Sequence, residues 1–386
     1  MGTIRIQSDA TGEGEPFEVV GSDVVLPGSE QLAPAVFGLL SVLSLVAVAV
    51  VLLVRRRRVR RGVRRPPVVL AVTAAALTAA VLATVVTWPP AFTTPEFPPT
   101  GPLFPEEGFF GRPIDDLDVA PDSERWTTAL GDLPLSANFG GPARGVIWGI
   151  PFNPVDEDTP TTRVRYRAPW STYEGPVPIA DPAYIESMPT YGFDNHYVAL
   201  DRDRRLMWEL LGTVVWFGRW EAGSGAIWDL DSLDYGEYST TASGLPLLPG
   251  VVTYDEVAAG SVDHVIWAAS PEISSTRHVW PARATDGLSD DPDAPPMGTW
   301  LRLREDADLS GLGPQAQVVA EAMQRHGILL MDTSGQAFAI RGTPDGRFDR
   351  DDLGDLRRFT AADFEAVDHE WLMVDPDSMA AAPVAP

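Results

Sequence analysis

The stretch "HYVALDRDRRLMWELL", residues 196–211, holds two apolar runs separated by five charged residues, Asp201 to Arg205. Strand-favouring residues on both sides of a polar turn read as a β-hairpin. The pattern continues in both directions. "TRVRYRA" (162–168) alternates, with Arg163, Arg165 and Arg167 on one face and Val164, Tyr166 and Ala168 on the other. "TVVWFGRWEA" (213–222), "GAIWDLDS" (225–232), "DHVIWAA" (263–269), "TRHVWPA" (276–282) and "GTWLRLRED" (298–306) extend the series. Short strands punctuated by Gly and Pro predict a mainly β domain over residues 114–374, of the β-sandwich or jelly-roll kind.

Helices are expected to be few. "TYDEVAAG" (253–260) places Thr253 and Glu256 at capping-box spacing, with Gly260 as a stop. "GPQAQVVAEAMQRHG" (313–327) predicts a helix from Pro314 to about His326. "DRDDLGDLRRF" (349–359) and "TAADFEAV" (360–367) predict short helices.

Upstream of the domain the chain changes character. Residues 35–54 and 68–88 carry no charge over 20 and 21 positions. About 20 apolar residues span a bilayer as a helix, so both runs predict transmembrane helices. Between them lie eight arginines, Arg55 to Arg65, and no acid. Short cytoplasmic loops collect such cations. The segment 55–67 is therefore expected inside the cell, with attraction to anionic lipid heads. Residues 1–34, with six acids and one Arg, and everything after 88 are expected outside. Pro66 and Pro67 suit the first turn of the second helix. Residues 89–113 contain eight prolines and predict an extended stalk, whose phenylalanines hint that part of it docks on the domain. Residues 375–386 read as a disordered tail.

Composition limits the chemistry. The net charge is −25, and setting aside the eight loop arginines leaves −33. Such a body repels phosphate backbones, which argues against a nucleic-acid partner. There is no cysteine, hence no disulfide or thiolate chemistry. There is no lysine, hence no phosphate loop ending in one. No cofactor is indicated. The exception is "DLDSLDYGE", where Asp229, Asp231 and Asp234 resemble a calcium loop with the third acid and the glycine out of position.

Two groups of residues are candidates for a site. His196 and His264 fall in predicted strands, with Asp255 and Glu256 among the acids near in sequence. A histidine beside a carboxylate in a cleft serves as general acid or base, whereas a histidine on an apolar strand face is more often a packed core residue. On "GTWLRLRED", alternation sends Trp300, Arg302 and Arg304 to one face and Thr299, Leu301 and Leu303 into the core. An exposed Trp stacks on sugar rings and Arg forks grip carboxylates, so these three form the candidate binding face.

The ordered segments "GIPFNPVD", "HYVALD", "SGAIWDLDS", "GLPLLPGVVTYDEVAAGSVDHVIWAA", "PPMGTWLRLRED", "QAQVVAEAMQRHGILLMDTSG" and "DFEAVD" resemble a family of largely uncharacterised secreted bacterial β-rich proteins, over roughly residues 112–368. In that family's pattern an acid stands where this chain has Thr241, and a histidine where it has Ala284. The resemblance implies a secreted β-rich domain and carries no activity with it. Two functions remain open: a membrane-anchored extracytoplasmic protein that binds or processes a polysaccharide, or a non-catalytic cell-envelope protein that contacts another protein.

Overall fold

The computed structural model describes residues 96–98, 100–140, 142–143, 146–167, 172–187, 194–216 and 218–383, with backbone alone at 142–143, 146–147 and 216. The expected N-terminal segment, both transmembrane helices, the arginine loop and the start of the stalk lie outside these residues. Among the described residues no helix is long and apolar enough to cross a membrane.

The protein is mainly β with few helices. The opening hairpin forms as read. β3 (Tyr197–Asp201) pairs antiparallel with β4 (Leu206–Leu211) across the charged turn. Asp201 holds that turn by accepting hydrogen bonds from the Arg204 amide and guanidinium. β5 (Ser224–Asp229) and the short β2 (Asn153–Pro154) flank the hairpin in the order β5-β4-β3-β2.

A six-stranded sheet is built from β1 (Leu135–Ala137), β6 (Ile266–Ser270), β7 (Trp300–Leu303), β8 (Ile328–Thr333), β9 (Phe338–Ile340) and β10 (Phe364–Ala366). Its order is β1-β9-β6-β8-β7-β10, and it is mixed, with parallel pairs at β1–β9 and β6–β8. Helices α1 (Ser123–Leu130), α2 (Tyr254–Ala259) and α3 (Pro314–Arg325) accompany it.

Both faces of this sheet are covered. Ile266, Ala268, Leu301, Leu303, Ile328 and Leu330 pack with Ala316, Val319, Ala320 and Met323 of α3. These helix positions follow i, i+3, i+4, i+7 spacing and form one apolar stripe. The alternate residues Trp267, Trp300, Leu329 and Met331 pack against Val198, Leu200, Met207 and Trp228 of the smaller sheet. Both strand faces are thus apolar, as buried sheets require. Trp267 lies so close to Gly250 that a Cβ there would meet the indole at 2.1 Å, and its Nε1 donates to the Leu247 carbonyl.

Several expectations are corrected. The stalk ends early, because Phe97, Phe104, Phe109 and Phe110 are buried in the inter-sheet core. The tail is also packed: Met379 and Ala381 are buried, and Gly108 bridges Ala380. "TRHVWPA" forms only a single bridge, His278 to Met297. "TAADFEAV" makes one 3-10 turn, Ala361–Asp363, and then becomes β10. There Phe364 and Ala366 face the core while Glu365 faces the other way, so pairing with β7 overrides the helical pattern. The helix at 314–325 and the capping box of Thr253 and Glu256 form as expected.

Candidate functional site

Asp332 and Thr333 end β8, just past a bulge where its register against β6 shifts between Ala268 and Ala269. A bulge re-aims the side chains that follow it. Beyond β9, the Arg341 guanidinium reaches Asp332 at 3.2 Å. Asp286 accepts a hydrogen bond from the Thr333 hydroxyl at 2.9 Å. His196, one residue before β3, places Nδ1 2.6 Å from a carboxylate oxygen of Glu186. The backbone fixes that pair: the Glu186 amide donates to the His196 carbonyl, and the His196 amide donates to the Glu186 carboxylate. Asn195 beside it takes a left-handed φ of 37°, an unusual conformation for a residue other than glycine.

These groups feel one another's charge. Burial opposes ionisation of His196, but the Glu186 carboxylate, their hydrogen bond, Asp194 and Asp332 outweigh it and raise the imidazole to about 9. Burial likewise opposes the charge on Glu186, and His196 with Arg341 holds that carboxyl below its usual range. At Asp332, burial and the carboxylates of Asp194 and Asp286 outweigh Arg341 and His196, and push the carboxyl up to about 7. Asp286 is also raised, chiefly by burial. The pair Glu186 and His196 is buried, Asp332 and Asp286 are half-buried, and Asp194 is exposed. The aspartates are therefore more accessible to solvent than the ion pair.

Glu209 supports the neighbourhood. It sits fully buried in the middle of β4, accepting from the Thr240 hydroxyl and the Leu247 amide, both at 2.7 Å. Burial outweighs these hydrogen bonds and the charge of His196, and raises its carboxyl. It anchors the loop that carries Thr241 and Ser243. Ser243 in turn donates its amide to Met331, next to Asp332, and accepts from the Arg283 amide.

The other expected site residues go elsewhere. His264 Nε2 lies 3.2 Å from Glu256, and its Nδ1 lies 2.8 Å from the Val265 carbonyl. Glu256 also closes the capping box, so this pair ties the start of α2 to the start of β6. Asp255 is held by Arg347 at 3.1 Å. His196 and His264 therefore belong to separate clusters.

The binding face predicted on β7 is overturned. Trp300 is 0% exposed and donates Nε1 to the His326 carbonyl at 2.8 Å. Arg302 is buried, ion-paired to Glu365 at 2.6 Å, and donates to the carbonyls of Ile114, Asp115 and Leu117. It clamps the entry loop of the domain. Only Arg304 reaches solvent, beside Asp306, in an open groove of about 750 Å³ along α1. The suggested calcium loop is self-satisfied, with Asp229 accepting from the Asp231 amide and Asp231 paired to Arg205. Among the described residues no group of three or more His, Asp or Glu side chains is arranged to hold a metal ion.

Glu186, Glu209, Asp286 and Asp332 were missed as site residues. Two left a trace in sequence: Glu209 interrupts the apolar run "LMWELL", and Asp332 terminates "ILLMD". No protein-family model, curated protein or solved structure matches this chain.

Proposed function

We propose that this is a membrane-anchored extracytoplasmic protein that cleaves a polysaccharide of the cell surface or environment, using the Asp332 cluster as its acid–base centre. The anchor rests on the two uncharged runs and the arginines between them, with both termini outside and residues 55–67 in the cytoplasm. The sandwich-like domain after the stalk is the working part.

One observation carries the enzymatic reading. A single half-open cluster, gathered from separate chain segments, raises the Asp332 carboxyl to about 7 under burial and the charge of neighbouring acids, the exposed Asp194 among them. Carboxyl groups whose environments drive their protonation apart are the means by which glycosidic bonds are hydrolysed near neutral pH. Asp332 in its protonated form delivers a proton to the leaving oxygen. Asp194, exposed at the rim, accepts one from the attacking water. Arg341 and the His196 imidazolium restrain the negative charge of the group.

The test is release of reducing ends from a glycan panel by the full-length chain. Asp332→Asn, matched to the parent in melting, is expected to lose at least 100-fold in rate. Equal release by that variant would overturn the assignment. The alternative, a non-catalytic envelope protein that contacts another protein, draws on the exposed apolar residues around Trp371.

A further inference from the structure

We infer that the surface around Trp371 docks a basic, apolar segment of a partner protein. Six large apolar side chains are exposed among the described residues, and four of them gather here: Val119, Trp371, Met373 and Val374. Val119 bridges Val367, and the Asp368 amide donates to the Asp118 carbonyl, which sets residues 118–119 alongside 367–368, where the Trp371 indole folds back to donate to the Asp368 carbonyl. Trp371, Met373 and Val374 are 51%, 40% and 63% exposed, while Leu372 between them is fully buried. Their backbone is held by bonds from Leu372 to His369, Met373 to Glu370 and Ala382 to Leu372. The patch is thus presented on a fixed frame, which lowers the entropy lost on binding. A contiguous exposed patch containing Trp and Met has the composition of an interface centre.

Charge names the occupant. Asp116, Asp118, Asp368, Glu370 and Asp375 are exposed around the apolar residues. None of them forms an ion pair among the described residues. No arginine or lysine occurs between Pro113 and Glu124, or from Phe359 to the C-terminus. One cation comes close, since Arg112 donates to the carbonyl of Ala381, which bridges Met373, but the exposed carboxylates outnumber it five to one. An apolar centre edged by such an excess of carboxylates fits a segment that alternates apolar side chains with arginine or lysine. Anionic lipid and nucleic acid meet repulsion at the same carboxylates.

The probe is a fluorescein-labelled synthetic peptide of alternating leucine and arginine, titrated with the full-length chain and read by anisotropy. Saturable binding is expected. It should weaken at least tenfold with Trp371→Ser, severalfold with Val374→Ser, and severalfold with Glu370→Gln and Asp375→Asn combined. The affinity should also fall as salt rises. Each variant is first shown to melt like the parent, and should Trp371→Ser fail that check, Val374→Ser decides. Unchanged binding by the apolar variants would overturn the inference, as would equal affinity for a serine–arginine peptide. Self-association or vesicle binding lost on the same substitutions would assign the patch to a second copy or a bilayer, and overturn it too.

Discussion

The imidazole of His196 and the carboxylate of Glu186 meet at 2.6 Å, with each side chain about nine-tenths buried. An ion pair so enclosed is costly to break from one side only, because the remaining charge keeps its burial and loses its partner.

His196→Gln should therefore destabilise the protein by about 3–5 kcal/mol near pH 6. The pH dependence follows from the two shifts. His196 is raised to about 9, so its contribution is whole below the ordinary imidazole range and fades as pH rises through 9. Glu186 is lowered, so its contribution is present above the ordinary carboxyl range and fades in acid. Melting temperatures of parent and variant, compared from acid to alkaline pH, should differ most between about 5 and 7. A constant difference across the range would show that the pair is not ionised.

Asp332 governs the opposite limb. Its carboxyl is raised to about 7, so the folded state binds that proton more tightly than the unfolded state does. Its contribution to stability falls as pH rises from the ordinary carboxyl range to about 7. Proton donation by this group should fall as pH rises through about 7, and glycan release with it. Asp332→Asn should leave stability unchanged or higher at pH 8, as calorimetry would show, because it removes a half-buried charge.

Trp300 and Arg302 should behave as structural residues. Trp300→Ala empties a fully buried site and should cost about 3–5 kcal/mol in urea unfolding. Arg302→Ala strands Glu365 and three carbonyls and should cost a similar amount. A double-mutant cycle with Glu365→Ala should return a large coupling energy. Loss of ligand binding at unchanged stability would restore the exposed-face reading.

Glu209 separates shape from charge. Glu209→Gln keeps an acceptor for the Leu247 amide and should change unfolding free energy by less than about 1.5 kcal/mol. Glu209→Ala leaves the Leu247 amide and the Thr240 hydroxyl without their partner and opens a void, so it should cost about 3 kcal/mol or more.

Membrane topology is tested at the arginine loop. A reporter fused at Gly62 should behave as cytoplasmic, and protease added to intact spheroplasts should remove the domain while sparing the loop. Extracytoplasmic behaviour of the Gly62 fusion would invert the orientation.

Local chemistry made much of the domain readable from residues alone. The hairpin at 196–211, the capping box at Thr253 and the helix at 314–325 depend on neighbours within a few positions. The buried stalk phenylalanines were anticipated in part, because large apolar side chains in a proline-rich segment need a surface to cover them. Alternation on "GTWLRLRED" correctly separated Trp300 and Arg302 from Leu301 and Leu303. It could not say that both faces are covered, since one cover is α3 and the other is a sheet formed by residues far away in sequence. The same limit hid the cluster. Glu186, His196, Asp286, Asp332 and Arg341 come within reach of one another's charge only because the fold brings the start of β3 near the ends of β8 and β9, where a bulge turns the end of β8. Period and composition are properties of neighbouring residues, whereas burial, pairing and the protonation they impose belong to whatever the folded chain brings alongside.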